Sequence, residues 1–132
     1  MSEPVFVSRT TAEAIHLRSL DEFGGQDGIR DEHALESALA QPMNVYYYGQ
    51  GDLFDIAAAY AFHLAENQPF VDGNKRTAIT TALLFLEGNG IRSIAVSNQQ
   101  LYDAMIAIAE KRLDKAGLAA VFSRHLAPPR PR

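Results

Sequence analysis

The sequence lacks cysteine, long apolar runs and any concentration of positive charge. Without cysteine the chain has no disulfide framework and no thiolate ligands for a metal. No apolar run reaches the roughly 20 residues that a membrane-spanning helix requires. The N-terminal segment MSEPVFV has no basic leader followed by an apolar core, so we see no secretion signal. We therefore expect a cytoplasmic protein that does not use a membrane as a partner.

The charge balance argues against direct nucleic-acid binding. The net charge is -4, and the 12 Lys and Arg residues are scattered along the chain. A protein that binds nucleic acid independently of sequence needs many cations on one face to neutralise phosphates. With 47% apolar and 21% charged residues, the composition is that of a globular domain rather than a disordered chain. We expect one domain over residues 1–126 and a disordered tail over 127–132.

Turn and capping residues divide the sequence into helices. The first four predicted helices run from the capping box Thr10–Glu13 to Phe23, from Asp31 to Leu39 before Pro42, from Asp52 to about Glu66, and from about Asn74 to Glu87. A further helix begins at the capping box Ser97–Gln100, and a last one contains Leu118 and Phe122. Between them, residues 44–51 predict a loop or small hairpin, and residues 91–96 a short extended connector. The third and fourth helices are apolar nearly all round, which predicts an all-α bundle built around them.

The segment from Gln68 to Thr77 carries the chemical signal. It places the carboxylate of Asp72 and the flexible Gly73 directly before a helix that begins with a polar residue and two cations, Lys75 and Arg76. A helix N-terminus has free backbone N–H groups and the positive end of the dipole, so it binds phosphate. From residue types alone, a nucleotide-phosphate site competes with a simpler interpretation, a capped helix whose Lys and Arg side chains are solvated.

This segment resembles the motif of the Fic/Doc family, in which histidine, proline and phenylalanine precede an acidic residue, glycine, asparagine and a basic stretch. The matching residues are Pro69, Phe70, Asp72, Gly73, Asn74 and Arg76. The resemblance extends over residues 15–91, through Phe23–Gly25, Gly28–Asp31, Leu35–Leu39, Ala57–Tyr60 and Ala82–Leu86. It implies the compact helical bundle of that family, with a short flap loop.

The resemblance also implies roles for the motif residues. Asp72 would coordinate Mg²⁺, and Gly73 and Asn74, with the following amides and the side chains of Lys75 and Arg76, would bind the phosphates of ATP. Phe70 would anchor the loop in the core. The implied catalytic set is Gln68, at the position of the family histidine, with Asp72, Asn74, Lys75 and Arg76.

Two positions favour the Doc branch over the AMP-transferring Fic proteins. Lys75 stands where those proteins usually have glycine, and Ile79 stands where they have a second arginine. Doc proteins are toxins that transfer the terminal phosphate of ATP to a hydroxyl of a translation factor, elongation factor Tu, and a Phd-like antitoxin neutralises them. The implied partners are therefore an antitoxin and a translation factor.

Gln68 is the main departure from the family. The family histidine takes a proton from the target hydroxyl, a contribution of roughly 10²–10⁴-fold, and an amide cannot hold a proton at neutral pH. The sequence places none of the four histidines, His16, His33, His63 and His125, at the loop. Gln68 therefore predicts an inactive or impaired enzyme, either a degenerate natural member or a deliberately inactivated toxin.

A second candidate site is the tyrosine-rich segment Tyr46–Tyr48, which matches the position of the family's target-docking flap, with packing against the core as the alternative for any one ring. Three other functions remain open at this stage. These are an AMP-transferase, a non-catalytic module that binds nucleotide or antitoxin, and a purely structural bundle. The inhibitory helix pattern found in some Fic proteins does not occur in this sequence.

Overall fold

The computed structural model describes residues 3–92 and 97–126. In this part of the chain the fold is all-α, as predicted, and an isolated antiparallel bridge joins Ile29 and Phe70. The helices are α1 (Arg9–Phe23), α2 (Glu32–Tyr47), α3 (Leu53–Asn67), α4 (Asn74–Gly88), α5 (Asn98–Ala109) and α6 (Lys115–His125). No helix in the described part is both long and apolar enough to cross a membrane.

Helix α3 is the centre of the bundle, as its apolar composition predicts. It contacts α2, α4, α5 and α6. Seven of its residues are buried, and four of these are alanines, whose small side chains let neighbouring helices approach closely. Helix α4 is the second central element and also contacts α1 and α5. The core predicted from the two apolar segments is therefore confirmed.

Most helix boundaries follow the predicted capping residues. Asp52 begins α3 in a capping box with Asp55, and Ser97 begins α5 in a capping box with Gln100. Asp31 caps α2 through a hydrogen bond from the Ala34 amide. The predicted cap of α1 is wrong by two residues, because Ser8 rather than Thr10 accepts the hydrogen bond from the Thr11 amide.

The predicted end of α2 is wrong. The helix continues through Pro42 to Tyr47, so residues 44–47 are helical and do not form a loop or hairpin. Proline inside a helix removes one backbone hydrogen bond and ordinarily disfavours the helix. Here Pro42 is buried, and α2 packs along α3, so tertiary packing outweighs the local preference.

Two predicted segments fall largely or wholly outside the described residues. The connector predicted over residues 91–96 is described only at Ile91, which is buried, and at Arg92. The tail predicted over residues 127–132 lies wholly outside.

Tyr60 ties the N-terminal segment to the core. Its side chain is fully buried on α3, and its hydroxyl accepts a hydrogen bond from the Val7 amide at 2.8 Å. Phe6, next in sequence, packs against Phe85 of α4. Burial raises the pKa of Tyr60 to about 12, so the hydroxyl keeps its proton across the physiological range.

We expect Tyr60→Phe to destabilise the fold, because it leaves the partly buried Val7 amide without its acceptor. The expected loss in the free energy of unfolding is about 1–3 kcal/mol, measured by urea denaturation. Tyr102→Phe is the matched control, since Tyr102 is 59% exposed. An equal, negligible effect of both substitutions would contradict the role given to the Tyr60 hydroxyl.

Candidate functional site

The candidate site is the loop over residues 68–73, which joins α3 to α4. Gln68 ends α3 in the left-handed conformation, with φ 47°. The guanidinium of Arg30 donates to the carbonyl oxygens of Asn67 and Gln68, at 2.8 and 2.7 Å. These bonds satisfy helix-terminal carbonyls that have no partner within the helix, so they fix the turn at Gln68.

The segment over residues 28–31 pairs with this loop. The amide of Arg30 donates to the carbonyl of Pro69 at 2.7 Å, and the amide of Val71 donates to the carbonyl of Gly28 at 3.0 Å. Gly28 has φ 136°, a conformation that favours glycine. One of the N-terminal segments that resembles the family is therefore the segment that holds the motif loop.

Phe70 anchors the loop, as the resemblance implies, and Asn74 braces it. The Phe70 side chain is 2% exposed within the core. The Asn74 side chain accepts from the Phe70 amide and donates to the Phe70 carbonyl, both at 2.9 Å. The Asn74 side chain thus stabilises the loop, and its backbone N–H is the group that faces outward from the start of α4.

The N-terminus of α4 has no side-chain cap. Gly73 is the N-cap residue, with φ 81°, and the first helical hydrogen bond runs from Thr77 to Gly73. Within the described residues, no acceptor bonds the amides of Asn74, Lys75 or Arg76. Three free N–H groups at the positive end of a helix dipole are suited to bind the oxygens of an anion.

Asp72 lies immediately before this helix and is exposed. One oxygen of its carboxylate accepts a hydrogen bond from the Gln26 amide at 2.8 Å. Gly25 is close by, since a Cβ there would lie 3.2 Å from the Cβ of Asp72 and 2.9 Å from Leu20. A side chain at residue 25 would therefore crowd Asp72, and the φ of 121° there also favours glycine.

The two cations of the motif occupy different environments. The guanidinium of Arg76 lies 3.7 Å from the centre of the Phe23 ring, in a cation–π contact that fixes its position. Lys75 is exposed, and no ion pair joins it to another described residue. Both residues line a cleft between the start of α4 and helix α5.

An open cleft of about 1040 Å³ lies over the loop and the first turns of α4, with α5 as its other wall. Its polar end consists of Gln68, Asp72, Gly73, Asn74, Lys75 and Arg76. Its other residues include Ile79 and Leu83 of α4 and Leu101, Tyr102 and Met105 of α5. The structure thus brings the motif residues together at one end of a partly apolar cavity large enough for a nucleotide.

The side chains near the start of α4 suit a Mg²⁺ ion that would be held mainly by the phosphates of a nucleotide. Within the described residues, no group of three or more His, Asp and Glu side chains forms a complete metal site. Asp72 supplies a single exposed carboxylate beside the amides of residues 74–76, which have no acceptor among the described residues. Mg²⁺ is commonly held by one or two carboxylates, water and substrate phosphates, which matches this arrangement. Asp72 would hold the ion, and amides 74–76 would hold the phosphates.

Gln68 is exposed and faces the same cleft. Its backbone is fixed by Arg30, and its side-chain amide both donates and accepts hydrogen bonds. An amide at this position therefore orients a hydroxyl group but does not remove its proton.

The expectation that no histidine lies at the loop is wrong for His16. The ring of His16, on α1, stacks on Phe70 with centroids 3.8 Å apart and contacts Asp72. The sequence carried no signal for this contact, because helix position does not reveal which side chain a distant loop meets. His16 is buried on the core side of the loop and is not among the residues that line the cleft.

His63 faces another part of the bundle. Its Nε2 lies 3.1 Å from the ammonium of Lys115, on α6. Burial, and then the charge of Lys115, lower the pKa of His63 to about 4. His63 is therefore neutral near pH 7, and neither it, His33 nor His125 lines the cleft.

The tyrosine segment does not reach the site. Tyr46 and Tyr47 form the last turn of α2. The N-cap of that helix, Asp31, bonds the Pro69 carbonyl, and the 16-residue helix places the two tyrosines about 24 Å from that point. The two rings pack against Phe6, and the Tyr47 hydroxyl donates to Glu3. Tyr48 is 85% exposed just beyond the helix. The predicted loop is therefore wrong over residues 44–47, because α2 does not end at Pro42, and the target-docking role of Tyr46–Tyr48 stays a prediction.

Comparison with known proteins identifies relatives of this fold and loop. The family model described as the Fic/DOC family matches residues 6–86. The chain is 30% identical over 112 residues to Protein kinase doc of Escherichia phage P1, covering 84% of this chain and 87% of the relative. It is 38% identical over 101 residues to Toxin Doc of Mycolicibacterium smegmatis, covering 74% of this chain and 78% of the relative.

We expect Asn74→Ala to destabilise the protein, because it removes both hydrogen bonds to the main chain of Phe70. The expected loss in the free energy of unfolding is about 1–3 kcal/mol in urea denaturation. Lys75→Ala, at the adjacent exposed position, should change it by less than about 0.5 kcal/mol. Equal losses in the two variants would show that the Asn74 side chain does not brace the loop.

Proposed function

The chain belongs to the Fic/DOC family, in its Doc branch, and from that premise we propose that it is the toxin of a toxin–antitoxin module. Its fold is a scaffold for transfer of the terminal phosphate of ATP to a hydroxyl of a protein target. The activity is absent or strongly impaired, because Gln68 occupies the position of the general base. A relative named as a protein kinase supports phosphoryl transfer as the reaction class.

The uncapped N-terminus of α4 is the observation that carries this proposal. The amides of Asn74, Lys75 and Arg76 have no acceptor among the described residues and line the cleft beside the exposed carboxylate of Asp72. A Ser, Thr, Asp or Asn side chain at residue 73 would bond one of these amides, but the φ of 81° at that position favours glycine. Glycine there instead leaves the amides open to phosphate oxygens.

Each motif residue then has a role that its position supports. The amides of residues 74–76 bind the phosphates, Lys75 and Arg76 add positive charge, and Asp72 holds Mg²⁺, which would neutralise phosphate charge. Phosphoryl transfer depends mainly on such positioning and electrostatic stabilisation. Because Arg76 is fixed against Phe23, its charge is held near the start of α4 without a further ion pair.

Ile79 favours kinase chemistry over AMP transfer. It lines the cleft one turn after Arg76, on the wall formed by α4. The AMP-transferring proteins that the motif resembles have an arginine at this position, and here the wall is apolar instead. Transfer of the AMP group therefore has less support than transfer of the terminal phosphate.

The proposed partners of the protein are those expected for the Doc branch of the family. We propose a Phd-like antitoxin that neutralises the protein and a translation factor similar to elongation factor Tu as the target, which puts the protein in the cytoplasm. A relative named as a toxin supports the antitoxin. The chemistry of the site requires of the target only a hydroxyl that reaches Gln68 and the terminal phosphate.

A non-catalytic function is the second candidate, and Gln68 is the observation that favours it. The substitution removes the base but leaves the amides of residues 74–76 and the Asp72 carboxylate in place. A protein of this kind would bind Mg²⁺ and ATP, or the antitoxin, without transferring phosphate. Restoring histidine at position 68 separates the two candidates.

We predict that Gln68→His will restore phosphoryl transfer. With γ-labelled ATP, Mg²⁺ and purified elongation factor Tu, the variant should label the target roughly 10²–10⁴-fold faster than the unsubstituted chain. The reason is that a neutral imidazole accepts the proton of the attacking hydroxyl, whereas an amide does not.

The control is the double variant Gln68→His with Asp72→Ala, which should lose the restored activity because it lacks the metal ligand. Label from the α-phosphate in place of the γ-phosphate would support AMP transfer. No transfer of either label by Gln68→His would contradict the kinase proposal for this target.

A further inference from the structure

His16 is a buried polar residue that the proposed function does not use. It lies on α1 and is 2% exposed. Its ring is stacked almost parallel on Phe70, with an interplanar angle of 8°. Gly73 also adjoins it, since a Cβ at that glycine would lie 3.6 Å from Cδ2 of the His16 ring. A single side chain therefore contacts Phe70 and Asp72 of the motif loop and lies beside Gly73.

The hydrogen bond of His16 has only one possible direction. Its Nε2 lies 2.8 Å from the main-chain oxygen of Asp72. A carbonyl oxygen accepts and does not donate, so Nε2 carries the proton. This bond satisfies a main-chain oxygen at the point where the loop turns into α4.

Asp72 is consequently held at two points. His16 binds its main-chain oxygen from the core side, and the Gln26 amide binds one carboxylate oxygen from the turn after α1. Neither contact comes from α3 or α4, the helices that the loop connects. The turn and α1 thus fix the direction of the carboxylate independently of the helix whose amides it accompanies.

We propose that His16 is a positioning residue, which fixes the main chain at Asp72 and Gly73 so that the Asp72 carboxylate and the first amides of α4 face the cleft together. The proposal rests on the proposed function for its consequence, since that function makes those groups the metal and phosphate ligands. Stacking on Phe70 alone does not accomplish this, because an apolar ring fills the same space without binding the Asp72 oxygen.

Two substitutions separate the hydrogen bond from the packing. His16→Phe keeps a ring against Phe70 but has no donor, and His16→Gln keeps a donor near the position of Nε2 but loses the ring. Ile15→Ala is the control, because it removes buried volume from the adjacent residue of α1 without removing a hydrogen-bonding group. Melting temperatures measured for all three variants show how far general stability falls.

The primary measurement is amide hydrogen exchange in the chain without ligand. The amides of Phe70, Val71 and Thr77 report the loop, because they bond to Asn74, Gly28 and Gly73 respectively. We expect His16→Phe to accelerate exchange at these amides by about tenfold, the value of one hydrogen bond. His16→Gln should remain closer to the unsubstituted chain, and Ile15→Ala should show no acceleration specific to the loop.

The second measurement is the dissociation constant for ATP with Mn²⁺ as the metal, by calorimetry. We expect His16→Phe to raise it by about tenfold relative to the unsubstituted chain, with a smaller rise for His16→Gln. Unchanged loop exchange in His16→Phe, or the same loop-specific change in Ile15→Ala, would overturn the positioning role. If exchange changes as expected but the unsubstituted chain binds no nucleotide, the positioning role is supported and the proposed function fails.

Discussion

The site depends on the pair of hydrogen bonds between the Asn74 side chain and the main chain of Phe70. These bonds close the loop onto the first turn of α4, so the helix begins at Gly73 without a capping side chain and its first amides stay open. The surrounding contacts act on the same loop. Phe70 is held in the core, Arg30 fixes the end of α3, and residues 28–31 pair along its edge. The proposed anion site therefore rests on main-chain groups of a braced loop rather than on mobile side chains.

The sequence predicts correctly those parts of the fold that depend on contacts between residues close in the chain. Asp52 and Ser97 predicted their helix starts because capping is a contact between residues close in the chain. The failure at Pro42 has the opposite cause, since packing of α2 against α3 outweighs the preference of one residue. Because of that error, the sequence predicts Tyr46 and Tyr47 in a loop, whereas they lie in the last turn of α2. The motif located Asp72 and amides 74–76, but His16 and Gln26 join the site through tertiary contacts that no spacing reveals.

Gln68 changes one property of the site and leaves its architecture intact. Its main chain adopts the left-handed conformation that ends α3, and Arg30 binds its carbonyl whatever the side chain is. Under the proposed function, the loss concerns proton transfer, while phosphate binding would be carried by the main-chain amides that follow Gln68. Binding and chemistry would then be separable, because different groups of the loop carry them.

The central claim is that the chain, with Gln68 present, still binds nucleotide phosphates at the start of α4. The most direct measurement is a titration of the ¹⁵N-labelled chain with ATP and Mg²⁺, followed by amide chemical shifts. The account predicts saturable shifts that are largest at Asn74, Lys75 and Arg76 and that are lost in Asp72→Ala at the same Mg²⁺ concentration. Shifts confined to other parts of the chain, or none at millimolar ATP, would contradict it.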